Sequence, residues 1–441
     1  MSSKTTGGLS EVREDWVPKA DYVSPEFAKR EEEKLWPRIW QLACREEEVP
    51  HVGDFVTYDI GNESITVIRS SESEIKAFFN VCMHRGRQLT EGCGHITQFT
   101  CRYHGWRYNL EGKCTRVIDR DDWGDLLRDE DIALRHVRVA TWGGFVFINM
   151  DLDSEEKLED FLGPLIERVD RFEIEKMQFF YYRTVKYPCN WKTFIEGFDE
   201  AYHAQQSHPQ LMENIKNNSR SRTFGLHSNL YWDIAAASRF GPDDRLNRPA
   251  NPDHRVHVLD YHKEILEQLG AMTTPRTYEA VQRLRTEVSA DASPGEVVAK
   301  VRQFQREAAE ADGVQLPEIS GTYMAESGFN WHLFPNIVFQ HQGLDSLLFY
   351  RARPDGSNPD SCFIDVWSLM RYGPGKAPPI KREYYDDWKK ANLGRILDQD
   401  FVNLYAVQKG MKSRGFVAAR PNPKQESAVS NLHRGLHLYL D

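Results

Sequence analysis

Apolar and polar residues alternate along the chain between about residues 53 and 150, which is the pattern of half-buried β-strands. Phe55–Ile60 and Ile65–Ile68 alternate in this way on either side of a Gly61-Asn62 pair, which predicts a tight hairpin. Further strands are predicted near residues 75–81, 106–110, 114–118 and 137–150. We therefore expect an all-β domain in this part of the chain.

Helical patterns flank this region. A helix is predicted to begin at Ser24-Pro25-Glu26, where a capping serine precedes a proline, and to end at Pro37. After Asp151 the chain mixes helices and strands. The segments 276–290 and 293–312 are charged and amphipathic, and we expect them to form a helical insertion. Two interpretations of this insertion stay open, a cover over a pocket or a plain pair of surface helices.

The composition limits the class of protein. A chain of 441 residues exceeds the usual size of one hydrophobic core, so we expect two domains or one domain with a large elaboration. A hydrophobic fraction of 40% is typical of a folded globular protein. A net charge of −10 argues against a general nucleic-acid-binding protein.

Two short stretches each carry a cysteine and a histidine, Cys82 with His84 and Cys101 with His104. Two thiolates and two imidazoles suit either a tetrahedral zinc ion or a two-iron cluster with Cys₂ on one iron and His₂ on the other. Structural zinc sites usually separate their first ligands by two to four residues. Only one residue separates Cys82 from His84, so the sequence favours a Rieske-type [2Fe–2S] cluster.

No targeting segment is expected. Residues 1–20 are polar and lack the apolar stretch of a signal peptide, and no later run is long and apolar enough to span a membrane. The five cysteines outside the cluster pairs are an odd, scattered set, which predicts a reducing cytoplasm rather than a disulfide scaffold.

A second group of candidate ligands lies near the middle of the chain. Glu196, Glu200 and His203 are spaced by four and three residues, which predicts that they share one helix face. His208 lies five residues beyond His203, so a helix end or bulge must redirect it if both histidines bind one ion. Pro209 favours such a break.

Two imidazoles and one carboxylate make the facial triad that holds oxygen-activating Fe(II), so a third ligand is needed. Asp398 and Asp400 lie at the start of a predicted helix that runs to Lys412. Both aspartates remain candidates at this point.

In these residues the chain resembles the oxygenase α subunits of the Rieske non-haem iron oxygenases, also called aromatic ring-hydroxylating oxygenases. The resemblance covers most of the chain and combines two metal motifs in one order. It is carried by Trp36-Pro37-Arg38-Ile39-Trp40, the two Cys/His loops, Trp142-Gly143-Gly144-Phe145-Val146-Phe147-Ile148-Asn149, Asn190-Trp191-Lys192 and the two-histidine segment.

The resemblance implies an α+β fold class with two main domains. We expect an N-terminal arm and helix in residues 1–40 and an all-β Rieske domain in residues 41–155. Residues 156–441 are expected to form a helix-grip-like α+β catalytic domain with the helical insertion at about 270–315.

Site residues are carried over one by one. The implied cluster ligands are Cys82, His84, Cys101 and His104, and the implied ligands of the mononuclear iron are His203, His208 and Asp400. Asp398 remains the rival of Asp400. Where the family usually has an aspartate three residues before the first iron-binding histidine, this chain has Glu200. In the family that carboxylate bridges to a cluster histidine of a neighbouring subunit, and the longer Glu200 is expected to span the same gap. Members that act on carnitine resemble this chain there.

The implied activity is that of a terminal oxygenase that activates O2 at mononuclear Fe(II) and hydroxylates a small aromatic or hydrophobic substrate once or twice. A separate reductase or ferredoxin is the implied electron donor, with NAD(P)H as the indirect source. The sequence has no Gly-x-Gly-x-x-Gly after a strand, which agrees with a separate reductase. The implied assembly is a homotrimer or an α₃β₃ complex, with no nucleic-acid or membrane partner.

Several alternatives stay open. A demethylating or quaternary-ammonium-cleaving monooxygenase would carry the same ligands. Phe194, Phe198 and the 331–339 segment are expected either to line an apolar pocket or to pack in the core. An electron-transfer Rieske protein without oxygenase activity would leave the His203/His208 segment without a role, and a zinc-stabilised binding module predicts zinc at the Cys/His loops.

Overall fold

The computed structural model describes residues 13–441 and divides them into two compact units. One unit comprises residues 29–163, and the other comprises residues 164–441 together with residues 13–28. The predictions made for residues 1–12 lie outside the described range, and the predicted domain boundaries after residues 40 and 155 stay predictions.

The 29–163 unit is built on a seven-stranded antiparallel sheet. Its strands, in spatial order, are Gln41–Arg45, Phe145–Asn149, His136–Trp142, Glu74–Phe79, Glu63–Ser71, Asp54–Ile60 and Cys93–His95. A second antiparallel sheet has the three short strands Phe99–Thr100, Arg107–Tyr108 and Cys114–Arg116. Every strand predicted in this region is therefore present.

Hairpin turns set the register of the larger sheet. Asp54–Ile60 pairs with Glu63–Ser71 across the Gly61-Asn62 turn, as predicted. The single strand predicted over 137–150 is instead two paired strands, because Gly143 and Gly144 both adopt positive φ angles of 59° and 76°. Glycine adopts such angles without steric cost, so the chain reverses there.

Helical segments of this unit are short. They are Glu31–Leu35, Glu46–Glu48, Arg120–Trp123, Asp129–Ile132 and Leu158–Leu162. The helix predicted from Pro25 begins as expected with Pro25–Arg30 and continues as one π-helical turn over Glu31–Leu35.

A sheet of eight strands forms the centre of the second unit. Its strands, in spatial order, are Ser219–Phe224, His227–Trp232, Asn330–Leu333, Ile337–Gln340, Ser346–Asp355, Asn358–Met370, Gln178–Tyr187 and Arg382–Tyr385. All neighbours are antiparallel except the last pair, which is parallel. A two-stranded pairing of Val17–Pro18 with Ala418–Ala419 joins the start and the end of the described chain.

The α-helices of the second unit pack around this sheet. They are Ala20–Val23, Pro164–Val169, Trp191–Glu196, Ala204–Ser207, Pro209–Met212, His254–Leu269, Pro275–Gln282, Leu284–Glu287, Pro294–Ala311, Gly321–Ser327, Arg395–Met411 and Ser427–Leu440. Short 3₁₀ turns lie at Asp170–Phe172, Ile174–Lys176, Ala236–Ser238, Asp244–Leu246 and Trp388–Lys390. None of the helices in residues 13–441 is both long and apolar enough to cross a membrane.

The predicted helical insertion forms a small core of its own. Val281, Leu284, Val297 and Phe304 pack together and against Val258 of helix His254–Leu269. Side chains cap two of these helices, since Thr274 Oγ1 accepts from the Thr277 N–H and Ser293 Oγ accepts from the Glu296 N–H.

Candidate metal centres

The two Cys/His loops have the same backbone geometry. In the first, the Gly86 N–H donates to the Cys82 carbonyl over 2.9 Å. In the second, the Gly105 N–H donates to the Cys101 carbonyl, also over 2.9 Å. Both glycines have positive φ angles, which lets each loop turn back tightly after its histidine.

The side chains of the four predicted cluster ligands meet between these loops. Cys82 and Cys101 are buried and close enough to interact, and the rings of His84 and His104 lie 4.6 Å apart. Backbone N–H groups of His84 and Tyr103 point at the two sulfurs. Such N–H groups are typical partners of sulfur ligands in iron–sulfur sites.

The histidine nitrogens support the fit of a metal group. The Nδ1 atoms of His84 and His104 are buried, and neither has a hydrogen-bond partner among the described residues. Buried nitrogens without partners are costly unless something binds them. Burial, together with the neighbouring His104 and Arg85, lowers the pKa of His84, so its imidazole is neutral and suited to ligation. The donor set therefore fits a Cys₂His₂ cluster.

Tyr108 supports the cluster site from the small sheet. Its hydroxyl lies 3.4 Å from Cys82 Sγ and accepts a hydrogen bond from the Met83 N–H over 3.1 Å. The hydroxyl proton is therefore free to point at the sulfur. Trp106 stacks on the His84 ring at a centroid distance of 4.9 Å.

The second site lies where a helix ends early. Helix Trp191–Glu196 stops, and helical structure resumes only at Ala204–Ser207. The prediction that Glu196, Glu200 and His203 share one helix face was therefore wrong. The Glu200 carboxylate accepts the His203 N–H over 3.2 Å, and such a local bond competes with helix formation.

A break between two short helices redirects His208, as predicted. His208 lies between Ala204–Ser207 and Pro209–Met212 with φ −126° and ψ 55°. Its ring and the His203 ring lie 5.3 Å apart.

Three ligand atoms converge at this point. His208 Nε2 lies 2.8 Å from Asp400 Oδ1, and His203 Nε2 lies 3.5 Å from the same oxygen. One ligand atom of each residue falls within 4.8 Å of the others, so the three can bind one ion. Two imidazoles and one carboxylate that leave positions open are the donor set of oxygen-activating iron.

The opposite nitrogens of both histidines have acceptors. His203 Nδ1 bonds to the Glu200 carboxylate, and His208 Nδ1 donates to Gln399 Oε1 over 2.9 Å. These bonds place the protons on Nδ1 and leave both Nε2 atoms free to bind metal.

The electrostatic surroundings favour a cation. Burial lowers the pKa of His203, but the charges of Glu200 and Asp400 outweigh this effect and raise the pKa to about 9. The site thus stabilises positive charge, which is what a divalent ion supplies.

Asp398, the rival third ligand, does not join the histidines. It lies two residues before Asp400 in helix Arg395–Met411, so its side chain leaves the helix on a different face, and it lines a separate open cleft with Arg395 and Gln268. The geometry thus favours Asp400 for this role.

The other two acidic residues of the segment, Glu196 and Asp199, have different contacts. Glu196 is not among the converging ligands and accepts hydrogen bonds from Tyr22 and His433 over 2.9 and 2.6 Å. Asp199 is fully buried, and burial together with Glu196 and Glu200 raises its pKa well above the usual range, so it is protonated. Its Oδ2 lies 3.5 Å from His332 Nδ1.

A cavity of about 130 Å³ lies directly against the three converging residues. Aromatic rings make much of its wall, from Phe198, Trp232, Tyr261, Phe329 and Tyr350. Amide side chains also line it, from Asn217, Asn330, Gln340 and Gln342. This cavity is the candidate substrate site.

The sequence predicted this lining only in part. Phe198 lines the cavity, but Phe194 packs against Tyr187 and Phe401 in the core. The 331–339 segment is buried in two central strands and lies outside the cavity wall, so core packing is its role. The wall residues Trp232 and Tyr261 were missed, because neither stands in a motif.

Family comparisons agree with this geometry. The family model described as "Ring hydroxylating alpha subunit (catalytic domain)" matches residues 174–441. The model described as "Rieske [2Fe-2S] domain" matches residues 39–123.

Curated relatives are similar over part of the chain. The carnitine monooxygenase oxygenase subunit of Acinetobacter pittii is 28% identical over 224 residues, which cover 50% of this chain and 60% of that protein. The anthranilate 1,2-dioxygenase large subunit of Acinetobacter baylyi is 30% identical over 44% of this chain and 43% of that protein. The glycine betaine monooxygenase oxygenase subunit of Pseudomonas aeruginosa is 29% identical over 45% of this chain and 46% of that protein. The chain thus spans about half the length of the curated relatives it matches.

Solved structures share the fold over almost the whole chain. A quaternary ammonium Rieske monooxygenase in complex with L-carnitine has a TM-score of 0.65 at 18% identity. The match covers 97% of this chain and 96% of that chain. Naphthalene 1,2-dioxygenase from Rhodococcus sp. has a TM-score of 0.61 at 20% identity, with 96% of this chain and 94% of that chain covered.

Proposed function

This chain belongs to the ring-hydroxylating α-subunit family and carries a Rieske [2Fe–2S] domain, and from this premise we propose that it is the terminal component of an oxygenase system. Its reaction would insert oxygen from O2 into a small organic substrate. The proposal is carried by one observation, the convergence of His203, His208 and Asp400 on the wall of a cavity that is lined mostly by apolar side chains.

Two metal groups fit the residues present. Cys82, His84, Cys101 and His104 would hold the cluster, and His203, His208 and Asp400 would hold the mononuclear iron. When bound, the cluster supplies one electron at a time and the iron supplies a site for dioxygen activation.

The protein's own residues would bind and orient the substrate and would exclude water from the site. Glu200 and Gln399 hold the two imidazoles in the ligating tautomer. The aromatic wall, including the stacked pair Phe198 and Tyr350 at 4.1 Å, keeps the cavity mostly apolar. Such a wall holds an apolar substrate and limits bulk water near the reacting atoms.

For the substrate we infer a small molecule that is largely apolar, with an aromatic ring as the leading class. The aromatic side chains that line the cavity, among them Trp232 and Phe329, support contact with a substrate ring. A quaternary ammonium substrate is the second candidate, because aromatic faces also attract such cations and relatives are named for carnitine and glycine betaine.

Electrons are proposed to come from a separate reductase or ferredoxin and to cross between neighbouring chains of a trimer. Both candidate metal sites have exposed tyrosines beside them, Tyr103 at 56% next to His104 and Tyr202 at 49% next to His203. Such surfaces suit the approach of another chain. Glu200 would be the bridging carboxylate.

Mixed oligomers test this route. Chains with Cys101→Ser lack a cluster ligand, and chains with Asp400→Ala lack an iron ligand. Each variant alone is expected to be inactive, whereas co-expressed mixed oligomers regain part of the wild-type activity if electrons cross between chains. Mixed oligomers that stay inactive would place the transfer within one chain.

A reducing cytoplasm is the proposed location. The buried Cys189 and Cys362 are not joined by a disulfide, although their sulfurs lie 4.0 Å apart. Free thiols at such a distance persist where the surroundings are reducing.

The first test is the metal content and spectrum of anaerobically purified protein. After dithionite reduction we expect a rhombic EPR signal of a His-ligated [2Fe–2S] cluster, lost in His104→Cys, together with one additional iron per chain. Zinc in place of iron would exclude the oxygenase. Turnover in ¹⁸O₂ then separates dioxygenation, with two labelled atoms in the product, from monooxygenation, with one.

A further inference from the structure

Two amide side chains lie next to each other in the sheet that forms one wall of the candidate substrate cavity. Asn330 and Gln340 occupy directly opposite positions in the antiparallel strands Asn330–Leu333 and Ile337–Gln340. Residues opposite each other in such a pair lie on the same face of the sheet, with Cβ atoms about 5 Å apart. Both amides line the cavity that contains the candidate iron ligands.

The neighbouring strands show which way this face of the sheet points. Leu230 lies opposite Asn330 on one side, and Leu348 lies opposite Gln340 on the other. Both leucines also line the cavity. One row of side chains across four strands therefore faces the cavity, with two amides between two apolar residues.

The hydrogen bonds of Asn330 fix the orientation of its amide. Its Nδ2 donates to the Phe198 carbonyl over 2.6 Å, and a carbonyl only accepts, so the nitrogen must lie on that side. The Oδ1 atom is buried and has no hydrogen-bond partner among residues 13–441. A buried oxygen without a donor is costly, so Asn330 holds an acceptor that the protein does not use.

Gln340 is also unused. It is half-buried at the end of its strand, and its amide makes no hydrogen bond to any part of the chain that the structure describes. The other two amides of the cavity wall have partners within the protein. Asn217 is bonded at both ends of its amide, and Gln342 Oε1 accepts from the Tyr261 hydroxyl over 2.8 Å.

A hydrogen bond between the two amides is the simpler explanation, since rotation of the Gln340 side chain brings its Nε2 toward Asn330 Oδ1. That bond satisfies Asn330 but leaves Gln340 Oε1 without a donor. Either arrangement thus leaves one carboxamide oxygen unpaired at the wall. The carboxylates of Glu200 and Asp400 line the same cavity, so its polar groups are mainly acceptors and disfavour an anion.

We propose that Asn330 and Gln340 bind a hydrogen-bond donor of the substrate, so that the substrate class is a neutral molecule with a hydroxyl or amino group on an apolar body. The leucines and aromatic rings of the wall contact the body, and the two amides select the polar group. A site built in this way rejects analogues that lack the donor, because its own polar atoms then stay unpaired. This inference rests on the proposed function, because it takes the cavity at His203, His208 and Asp400 as the substrate site.

Binding of paired probes tests the inference. Phenol is compared with fluorobenzene, and aniline with toluene, each pair having similar size but only one member with a donor. Benzonitrile, which only accepts hydrogen bonds, and benzoate, an anion, complete the set. Titrated calorimetrically into metal-replete protein without oxygen, phenol or aniline should bind about 5- to 50-fold more tightly than its analogue, the effect of pairing an otherwise unsatisfied acceptor. Benzonitrile and benzoate should show no such gain.

Two variants connect this preference to the amides. Gln340→Met keeps a side chain of similar shape and should weaken the binding of the donor probe about fivefold, while fluorobenzene and toluene stay within about twofold. Asn330→Leu should have a larger effect, but it also removes the bond to the Phe198 carbonyl. Gln340→Met breaks no bond within the protein, so it keeps the test valid if Asn330→Leu does not fold.

The matched control is Gln178→Leu, which removes an exposed glutamine of the same sheet that lies outside the cavity wall. It should leave every probe affinity unchanged. Thermal unfolding and iron content of each variant establish that it is folded.

The phenol and aniline arms distinguish the two sources of the donor, and the larger gain over the analogue names the group. Equal binding of donors and analogues by the wild type overturns the inference, as do tight binding of benzonitrile, a preference that survives in Gln340→Met, or the failure of all probes to bind. If toluene is hydroxylated as readily as phenol by the wild type and by Gln340→Met, the oxygenase function stands and this inference falls. If iron and cluster are missing but phenol binding still depends on Gln340, the amide site stands and the oxygenase function falls.

Discussion

The Nε2 atom of His208 lies 2.8 Å from Oδ1 of Asp400, although the two residues belong to segments far apart in the chain. His208 lies at a break between two short helices, and Asp400 lies in the first turns of helix Arg395–Met411. The candidate iron site is therefore assembled by packing of this helix against the histidine segment. Changes at either segment should affect metal binding separately from the Rieske unit.

Asp400 and Asp398 are expected to differ in iron binding. Asp400→Ala should lose the mononuclear iron and keep the cluster, because it removes one of three converging ligands. Asp398→Ala is the matched control and should keep both, since its side chain lines a different cleft. Iron and sulfide content per chain measure the outcome. Loss of iron in Asp398→Ala alone would transfer the role to Asp398.

Gln399 is expected to tune the iron site without touching the metal. Its Oε1 accepts from both His208 Nδ1 and Gln210 Nε2 over 2.9 Å. Gln399→Leu removes the acceptor that fixes the His208 tautomer, and such partners typically contribute 10- to 100-fold in affinity or activity. Competition with a chelator measures the apparent iron affinity. Gln210→Leu, which spares the imidazole, should cause a much smaller change, and equal losses in both variants would contradict the assignment.

Tyr108 is expected to raise the reduction potential of the cluster. Its hydroxyl is free to donate to Cys82 Sγ, because the Met83 N–H already occupies its acceptor side. A hydrogen bond to a ligand sulfur stabilises the more negative, reduced cluster. With ~1 kcal/mol for such a bond, Tyr108→Phe should lower the potential by about 40 mV. Redox titration by EPR gives the value, and an unchanged potential would show that the hydroxyl does not donate to the sulfur.

The sequence predicted local features well. The hairpin at Gly61, both Cys/His loops and the helix break before Pro209 were all predictable, because each depends on a few neighbouring residues. Helical spacing was misleading at Glu200, where a side-chain bond to the backbone replaced the helix.

Long-range relationships were beyond the sequence pattern. Gln399 meets His208, and Tyr261 reaches the wall of the candidate substrate cavity, only through packing of distant helices, and neither residue carries a motif. Glu196 likewise bonds to His433, which lies 237 residues later in the chain. Periodicity describes which face of an element is apolar, but it does not identify which other element covers that face.

His433 should make the stability of the catalytic unit depend on pH in the alkaline range. It is fully buried, with Nδ1 2.7 Å from Asp21 Oδ2 and Nε2 2.6 Å from Glu196 Oε1. His437 also bonds to Asp21, and Tyr22 to Glu196. Burial lowers the pKa of His433, but the two carboxylates outweigh it and raise the pKa to about 9.

Because the folded pKa exceeds the unfolded value of about 6.5, the stabilisation is complete below about pH 6.5 and is lost as the pH rises through about 9. The shift corresponds to about 3 kcal/mol. Urea unfolding midpoints at pH 6.5, 8 and 9.5 measure this loss of stability. The His433→Gln variant should be less stable than the wild type at pH 6.5, and its midpoint should change little as the pH rises. His95→Gln, at an exposed histidine, is the control and should follow the wild type. If the urea midpoint of the wild-type protein does not decrease as the pH is raised from 6.5 to 9.5, His433 is neutral between its two carboxylates.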